Sequence, residues 1–293
     1  MDAALARAIE SALGASIVRH AGAHGGSINT CTVASLSDGR RIFVKTRADA
    51  DAETFAIEAD GLEWLRRGLT SGVGSLLLVP EVMAVIQSPH ALVLSAFEPG
   101  ARTRESDEAL GRGLAQLHAS LPADASHGYV RATDLATIRL DNTPTNDWSS
   151  FYAERRLLPL LSRAEKRGIA TTRMRRGMER VIARLPELVG PPERAARLHG
   201  DLWSGNASVD ASGRPVIFDH AVFAGHREID LAMMQLFGGF SSRVFAAYDE
   251  VWPRADGRER RVLLYQLLPL LAHVVLFGES YVRNVEAALA QYA

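Results

Sequence analysis

The spacing of apolar residues changes once along this chain, and that change limits its architecture more than any other feature. Residues 16–46 alternate apolar and polar positions around "SLSDGRRIFVK", where Asp38-Gly39 is a strong hairpin signal, so two antiparallel strands are expected there. Residues 52–68 carry a helical pattern through Phe55, Ile57, Leu62 and Leu65, and "VPEVMAVIQSPHALVLSAF" reads as two further strands around a Ser-Pro turn. Beyond "EPG" at 98–100 helical patterns dominate, over 106–120, 148–165, 171–187, 227–237, 241–251 and, with breaks, 259–289. There only 207–218 reads as extended, a hairpin turning at Asp210, Ser212 and Gly213. Strands first and helices later predict an α+β fold in two lobes. A small antiparallel-sheet lobe with one helix would span residues 1–97, and a larger, mainly helical lobe 98–293. A cleft between two such lobes is a common ligand site.

Several function classes fall away on composition. The 293 residues are 47% hydrophobic, ample for a core, and 33 basic against 34 acidic residues leave a formal charge of −1. No overall field draws such a chain to nucleic acid or anionic lipid, so neither is an expected partner and function must sit in a local site. The single cysteine, Cys31, excludes an intramolecular disulfide framework and points to a reducing compartment, with the cytoplasm as the expectation. "MDAALARAIESALG" reads as an amphipathic helix rather than a signal segment, and no run reaches the ~18–20 apolar residues of a membrane span. "LLYQLLPLLAHVVLFG" at 263–278 is interrupted by Gln266, Pro269 and His273; it reads as a buried helix with Pro269 in its first turn or at a kink. In "RMRRGMERVIARL", Arg173, Arg176, Arg180 and Arg184 lie opposite Met174, Met178, Val181 and Leu185. With no interleaved aromatics, that is a helix packed on a core and not an RNA surface.

The chemistry concentrates in "RLHGDLWSGNASV", residues 197–209. Transfer of a γ-phosphoryl group to a hydroxyl needs a carboxylate to take the hydroxyl proton and an amide oxygen to hold magnesium on the phosphates. The spacing of His199, Asp201 and Asn206 reproduces the His-x-Asp-x-x-x-x-Asn of kinase catalytic loops, with Asp201 as base and Asn206 as metal ligand. Side-chain bonds within a turn would explain Asp201 and Asn206 equally well if they stood alone. They do not stand alone. "PVIFDHAVFAGH" ends a strand at Asp219, the place of a second metal carboxylate, although no glycine follows two residues later. "RIFVKT" sets Lys45 on a strand, ahead of Glu58 in the next helix, and alternation places Phe43 on the same face, near an adenine. Without Glu58, Lys45 would read as a solvated edge charge. "HGGSINT" at 24–30 precedes that strand, and Gly25 and Gly26 allow close backbone approach to phosphate. It has neither the Gly-x-Gly-x-x-Gly spacing nor a Walker lysine.

Together "HGGSIN", "FVK", "NDWSSFYAERRLLPLL", "LHGDLWSGN", "FDHAVFAGHREIDLAM", "LFGGF" and "LLYQLLPLL" resemble the fructosamine kinase (ketosamine 3-kinase) family, from about residue 7 to 285. The resemblance implies a two-lobed protein-kinase-like fold and an ATP- and Mg2+-dependent kinase. Its acceptor would be the 3-hydroxyl of fructosamines or ribulosamines, free or protein-bound, in a deglycation activity. It further implies Asp201 as base, Asn206 and Asp219 as magnesium ligands, and Lys45 with Glu58 on the nucleotide. Gly25, Gly26 and Ser27 would cover the phosphates, Ala96 and Phe97 would line the nucleotide at the hinge, and Trp203 would be a platform for the sugar. His199 would brace the loop, Asp230 would anchor its backbone, and His118 would sit at a helix interface. His226, with Arg227 and Glu228, would border the acceptor pocket, the alternative being a surface Arg-Glu pair. Relatives usually carry proline after the metal aspartate where this chain has His220, also assigned to the acceptor side. Ser95 stands where an acidic residue is common, and Ser27 where some relatives have cysteine; Cys31 reads as a small buried apolar residue. Two rivals remain at this point. A kinase of the same fold acting on an aminoglycoside or amino alcohol would need an acidic cluster that the C-terminal third does not show. A nucleotide-binding regulatory protein without turnover would have no use for Lys45, Glu58, Asp201, Asn206 and Asp219 together.

Overall fold

Asp2 opens the first helix, α1 (Ala3–Leu13), by accepting the Leu5 N–H at 2.8 Å, and Gly14 closes it in the left-handed region. The structure, a computed structural model, describes residues 1–23, 29–69 and 75–292. Strands β1 (Ile17–Ala23), β2 (Thr30–Leu36) and β3 (Arg41–Thr46) follow α1, with Asp38-Gly39 turning between β2 and β3 as expected. Helix α2 (Thr54–Leu69), its N–H groups at Glu53 and Thr54 capped by Asp51, separates β3 from β4 (Val82–Gln87) and β5 (His90–Ser95). The five strands form one antiparallel sheet in the order β1-β2-β3-β5-β4. The sequence pattern predicts four strands here. The fifth, β1, is an edge strand with its central residues exposed, so within the run at 16–46 it has no buried face to mark it as a separate strand.

Period two divides the sheet between two packing partners. Ala34, Ile42, Val44, Ala91 and Val93 bury one face against Leu5 and Ile9 of α1. Phe43, Leu92 and Leu94 face the other way, against Phe55, Leu62 and Leu65 of α2, in a core that continues into the C-terminal helices. The division expected between residues 97 and 98 falls after β5, and this larger core crosses it.

The helical part begins at α3 (Arg104–His118), where Thr103 and Ser106 form a reciprocal capping box. A hairpin of β6 (Thr133–Leu135) and β7 (Ile138–Leu140) comes next, then α4 (Trp148–Tyr152), one π-helical turn, α5 (Leu158–Lys166) and α6 (Thr172–Leu188). Strand β8 (Ala196–Leu198), the hairpin β9 (Ala207–Val209) and β10 (Pro215–Ile217), and β11 (Phe223–Gly225) then precede α7 (Glu228–Leu236), α8 (Ser242–Val251), α9 (Arg258–Phe277) and α10 (Val282–Ala290). The expected helices are all present. The β6–β7 hairpin and the β8–β11 pair are not in the expectations, because three-residue strands carry no readable period, and Phe223 pairs with Leu198 far along the chain. Pro269 lies mid-way along α9 and not in a first turn, since the helix already starts at Arg258. Arg258–Ala290 is the one stretch among the described residues long and apolar enough, by length and composition, to cross a membrane; most of its apolar window is buried in the helical core.

Helices α3 and α8 pack with their backbones almost touching at Gly111. A Cβ there would lie 2.1 Å from the Val244 carbonyl oxygen and 2.9 Å from the Tyr248 nitrogen, both backbone atoms that cannot swing aside. Gly111→Ala is therefore expected to destabilise the protein by about 1–3 kcal/mol through overpacking, despite alanine's better helix propensity. A fall in the thermal or denaturant midpoint checks this; an unchanged or raised midpoint would show that the two helices can separate freely.

Candidate active site

The loop after β8 turns sharply at Gly200, whose φ of 83° and distance to Ala221, 2.0 Å from a would-be Cβ to the carbonyl oxygen, admit glycine alone. Asp230, fully buried in the first turn of α7, holds this turn by its carboxylate. It accepts the backbone N–H of His199 at 2.7 Å and of Gly200 at 2.8 Å, the anchoring role expected of it. His118 of α3 supports Asp230 through Nε2 at 3.1 Å, and the Tyr248 hydroxyl of α8 stands 2.8 Å from His118 Nδ1. His199 is equally buried, and desolvation lowers its pKa to about 4, so the ring is neutral. Its Nε2 donates to the Phe218 carbonyl at 2.9 Å, leaving Nδ1 to accept the Asp201 N–H at 3.3 Å. His199 thus ties the Asp201 turn to the segment that ends in Asp219.

Asn206 completes the loop at the end of a single 3-10 turn, Ser204–Asn206. Its amide nitrogen donates to the Asp201 carbonyl at 2.8 Å, the Asp201 carboxylate at 3.1 Å and the Asp219 carbonyl at 3.0 Å. That fixes which way the amide points and leaves its oxygen as the atom able to bind a cation. Burial pushes the Asp201 pKa up to about 7; the Asn206 bond opposes the shift and the charge of Asp219 adds to it. A base poised near neutrality suits proton transfer from a hydroxyl. Asp219 itself has a φ of 58°, a left-handed conformation rare outside glycine, of the kind that persists where surrounding structure enforces it.

Lys45 of β3 reaches across to this carboxylate. The buried ammonium pairs with both Glu58 of α2 and Asp219. Burial alone would lower its pKa, but the two carboxylates outweigh that and raise it, so the lysine stays charged. These residues fit a divalent cation bound together with a polyphosphate. Asn206 and Asp219 offer two hard oxygen ligands, and among the described residues no three His, Cys, Asp or Glu side chains converge, so phosphate and water would supply the remaining ligands.

The other expected residues are distributed unevenly. Phe43 is partly buried on the α2 side of β3, the face that carries Lys45. Ala96 follows β5 and gives its N–H to the Arg41 carbonyl at 3.0 Å, and the Phe97 ring lies 6.3 Å from that of Phe218, beside Asp219. Gly25, Gly26 and Ser27 lie outside the described residues. Trp203 is 39% exposed, next to the catalytic turn. Two residues expected on the acceptor side sit elsewhere. His220 is buried against α2, its ring over Gly61 and its Nε2 2.9 Å from the Glu58 carbonyl, so it bridges the helix that carries Glu58 to the loop that carries Asp219. His226 is buried in an aromatic cluster, stacked on Tyr265 at 5.0 Å and facing Trp148 at 6.1 Å. Arg227 and Glu228 are neither pocket residues nor a surface pair: Arg227, buried, binds the partly buried Glu193, and Glu228 binds Arg261 away from water. Reading by motif follows order along the chain, and the side-chain direction at these positions depends on packing that the motif does not encode. The support of Asp230 by Tyr248 is also absent from the motif, for Tyr248 stands in an ordinary amphipathic helix.

Comparison with known proteins comes after this geometry. Residues 1–293 match the family described as fructosamine kinase. A probable ketoamine kinase of Enterococcus faecium is 32% identical over 271 residues, covering 92% of this chain and 93% of that protein. The protein named protein-ribulosamine 3-kinase, chloroplastic, of Oryza sativa subsp. japonica is 30% identical over 268 residues, 92% of this chain and 77% of that one. A crystal structure from Thermobifida fusca, provisionally named fructosamine-3-kinase, superposes with a TM-score of 0.88 at 36% identity, covering 98% of both chains. The aminoglycoside phosphotransferase APH(4)-Ia, at 12% identity and a TM-score of 0.67, shares the fold.

A buried neutral histidine makes the stability of the fold depend on pH. His226 is lowered to about 3 by burial, with Arg261 and Arg227 adding to the effect. Between that value and its unfolded pKa of about 6.5, the unfolded chain binds a proton that the folded one does not, so the stability this group contributes falls as pH falls through that window. His226→Phe keeps a ring against Tyr265 and removes the titration. From pH 7.5 to pH 5 the parent is expected to lose about 2 kcal/mol relative to this variant, measured by denaturant unfolding at each pH. Parallel stability curves would show that His226 titrates in the fold as it does in the unfolded chain.

Proposed function

The chain belongs to the fructosamine kinase family, and from that membership and the site we propose that it transfers the γ-phosphoryl group of ATP to the 3-hydroxyl of a ketosamine. The observation that carries this reading is the convergence of Lys45, Glu58, Asp201, Asn206 and Asp219 from β3, α2, the catalytic loop and the segment after β10. Residues 1–97 would then hold the nucleotide, with Phe43, Ala96 and Phe97 around its base, and residues 98–293 the acceptor. Release of the amine from the phosphorylated adduct would make this a deglycation activity, and the cytoplasm is the compartment that fits a chain with one buried thiol.

Each residue has a defined task. Asp201, ionised above pH ~7, accepts the proton of the attacking hydroxyl as the oxygen–phosphorus bond forms and the bond to the leaving ADP oxygen breaks. Lys45, positioned by Glu58, directs its positive charge at the phosphate oxygens. Asn206 and Asp219 would hold magnesium, which would supply neutralisation of the charge spread over the transferring group. His199 and Asp230 take no part in the chemistry and keep the loop in register. Trp203, partly exposed beside the base, offers a flat apolar face to the sugar ring.

ATP-to-ADP turnover should require both a ketosamine and magnesium, stop with EDTA and resume on adding Mg2+. Asp201→Asn is expected to lower kcat by a factor of about a hundred to ten thousand while ATP binding, measured by calorimetry, changes little. Wild-type-like turnover by that variant would remove Asp201 from the role of base. Turnover with an aminoglycoside or amino alcohol and none with ribulosamine or fructosamine adducts would move the acceptor class elsewhere.

A further inference from the structure

The exposed large aromatic hydrophobics among the described residues are Trp203 at 39%, Phe237 at 41% and Phe277 at 59%, and they belong to one row of rings. Trp203 meets Phe237 edge-on with centroids 6.4 Å apart, and Phe237 lies 5.0 Å from His273. His273 is 5.3 Å from Phe277 and 4.8 Å from Tyr281, which are themselves 6.2 Å apart. Three separate pieces of chain supply the row: the catalytic loop, the end of α7, and the last turns of α9 running on into the turn before α10. Such convergence differs from the scattered valines and leucines that any surface shows. His273 adds an uncharged face, because burial lowers its pKa and its Nδ1 donates to the Pro269 carbonyl at 2.7 Å. The row also has a rigid footing, since a Cβ on Gly239 would lie 2.5 Å from the Cβ of Ser204, so the segment carrying Phe237 is packed onto the catalytic loop.

We propose that Phe237, His273, Phe277 and Tyr281 form an acceptor subsite, continuous with Trp203, that binds an apolar or aromatic substituent on the amine nitrogen of the ketosamine. This rests on the phosphoryl-transfer reading above. In a ketosamine the nitrogen sits on C1, two carbons from the hydroxyl that Asp201 deprotonates. With the sugar on Trp203, the nitrogen substituent therefore leaves the catalytic turn within reach of the adjoining rings. Ring faces there pack against an apolar or aromatic group borne by that nitrogen. The row thereby selects among adducts by the amine, while the phosphoryl machinery acts on the sugar.

The test compares ribulosamine adducts of ethylamine and of 2-phenylethylamine as acceptors for the wild-type enzyme, Phe237→Ala, Phe277→Ser and Tyr281→Ser. Wild type is expected to show a KM about tenfold or more lower for the phenylethyl adduct. Each variant should lose about three- to tenfold of that preference, with kcat on both adducts and KM for the ethyl adduct unchanged. Equal KM values for the two adducts in the wild type would overturn the subsite. So would variants that weaken both adducts alike, or Phe277→Ser and Tyr281→Ser that leave the preference intact; these last two guard against Phe237→Ala merely disturbing the catalytic loop. The ethyl adduct separates the two readings, since its turnover by wild type reports phosphoryl transfer without the ring row. Failure with both adducts would remove the proposed function and the subsite with it.

Discussion

Asp230 is a carboxylate with no exposure to water, and its charge is held by two backbone N–H groups of the catalytic loop and one imidazole. The arrangement works in both directions. The three donors keep the carboxyl below the usual carboxylate range against a desolvation that pushes it up. In return, two N–H groups that no strand or helix could serve are satisfied, and each would cost about 1–3 kcal/mol if left unpaired. The close packing of α3 on α8 at Gly111 sets His118 and Tyr248 in contact, and α7 brings Asp230 to the same point. The position of Asp201 thus depends on helix packing well away from the chemistry.

A second set of charges joins the sheet to the helical part. Lys45 comes from β3, Glu58 from α2 and Asp219 from the segment after β10, and a buried ammonium with only one of them would carry an incompletely compensated charge. His220 reinforces the connection by bonding to the Glu58 carbonyl and filling the space that Gly61 leaves on α2. Its effect is mechanical: it couples the helix holding Glu58 to the loop holding Asp219. The larger core runs through the same junction, so the residues of the sheet and those of the helical part rest on one packed body.

Elsewhere buried charge serves architecture. Arg227 pairs with Glu193 and lies over the Trp252 ring, Arg261 pairs with Glu228, and Arg156 lies against the rings of Phe151 and Phe223 while bonding to Asn142. Burial, with the charges of Arg261 and Arg227 adding to it, keeps His226 neutral where it stacks on Tyr265. A segment reading "GHREID" looks like site chemistry because it is polar and close to Asp219. Of its charged residues only Asp230 touches the catalytic loop.

The spacing within "LHGDLWSGN", the strand lysine before a helix glutamate, and the aspartate ending an apolar strand single out five residues that the fold brings together, and the change of period along the chain sets strands before helices. Local chemistry fixes such spacings: a turn that must present Asp201 and Asn206 together allows few residue types and one separation. The Asp38-Gly39 turn and the long amphipathic helices were legible for the same reason, since each depends on neighbours three or four residues away. The tertiary structure decided what depends on distant partners. Edge strand β1 shows itself only by pairing with β2, the short β8–β11 pair forms through hydrogen bonds between remote segments, His220 and His226 turn into the core, and three separate segments meet to make the aromatic row. None of these leaves a period in the sequence, because side-chain direction and long-range pairing are set by packing, which exists only once the chain has folded.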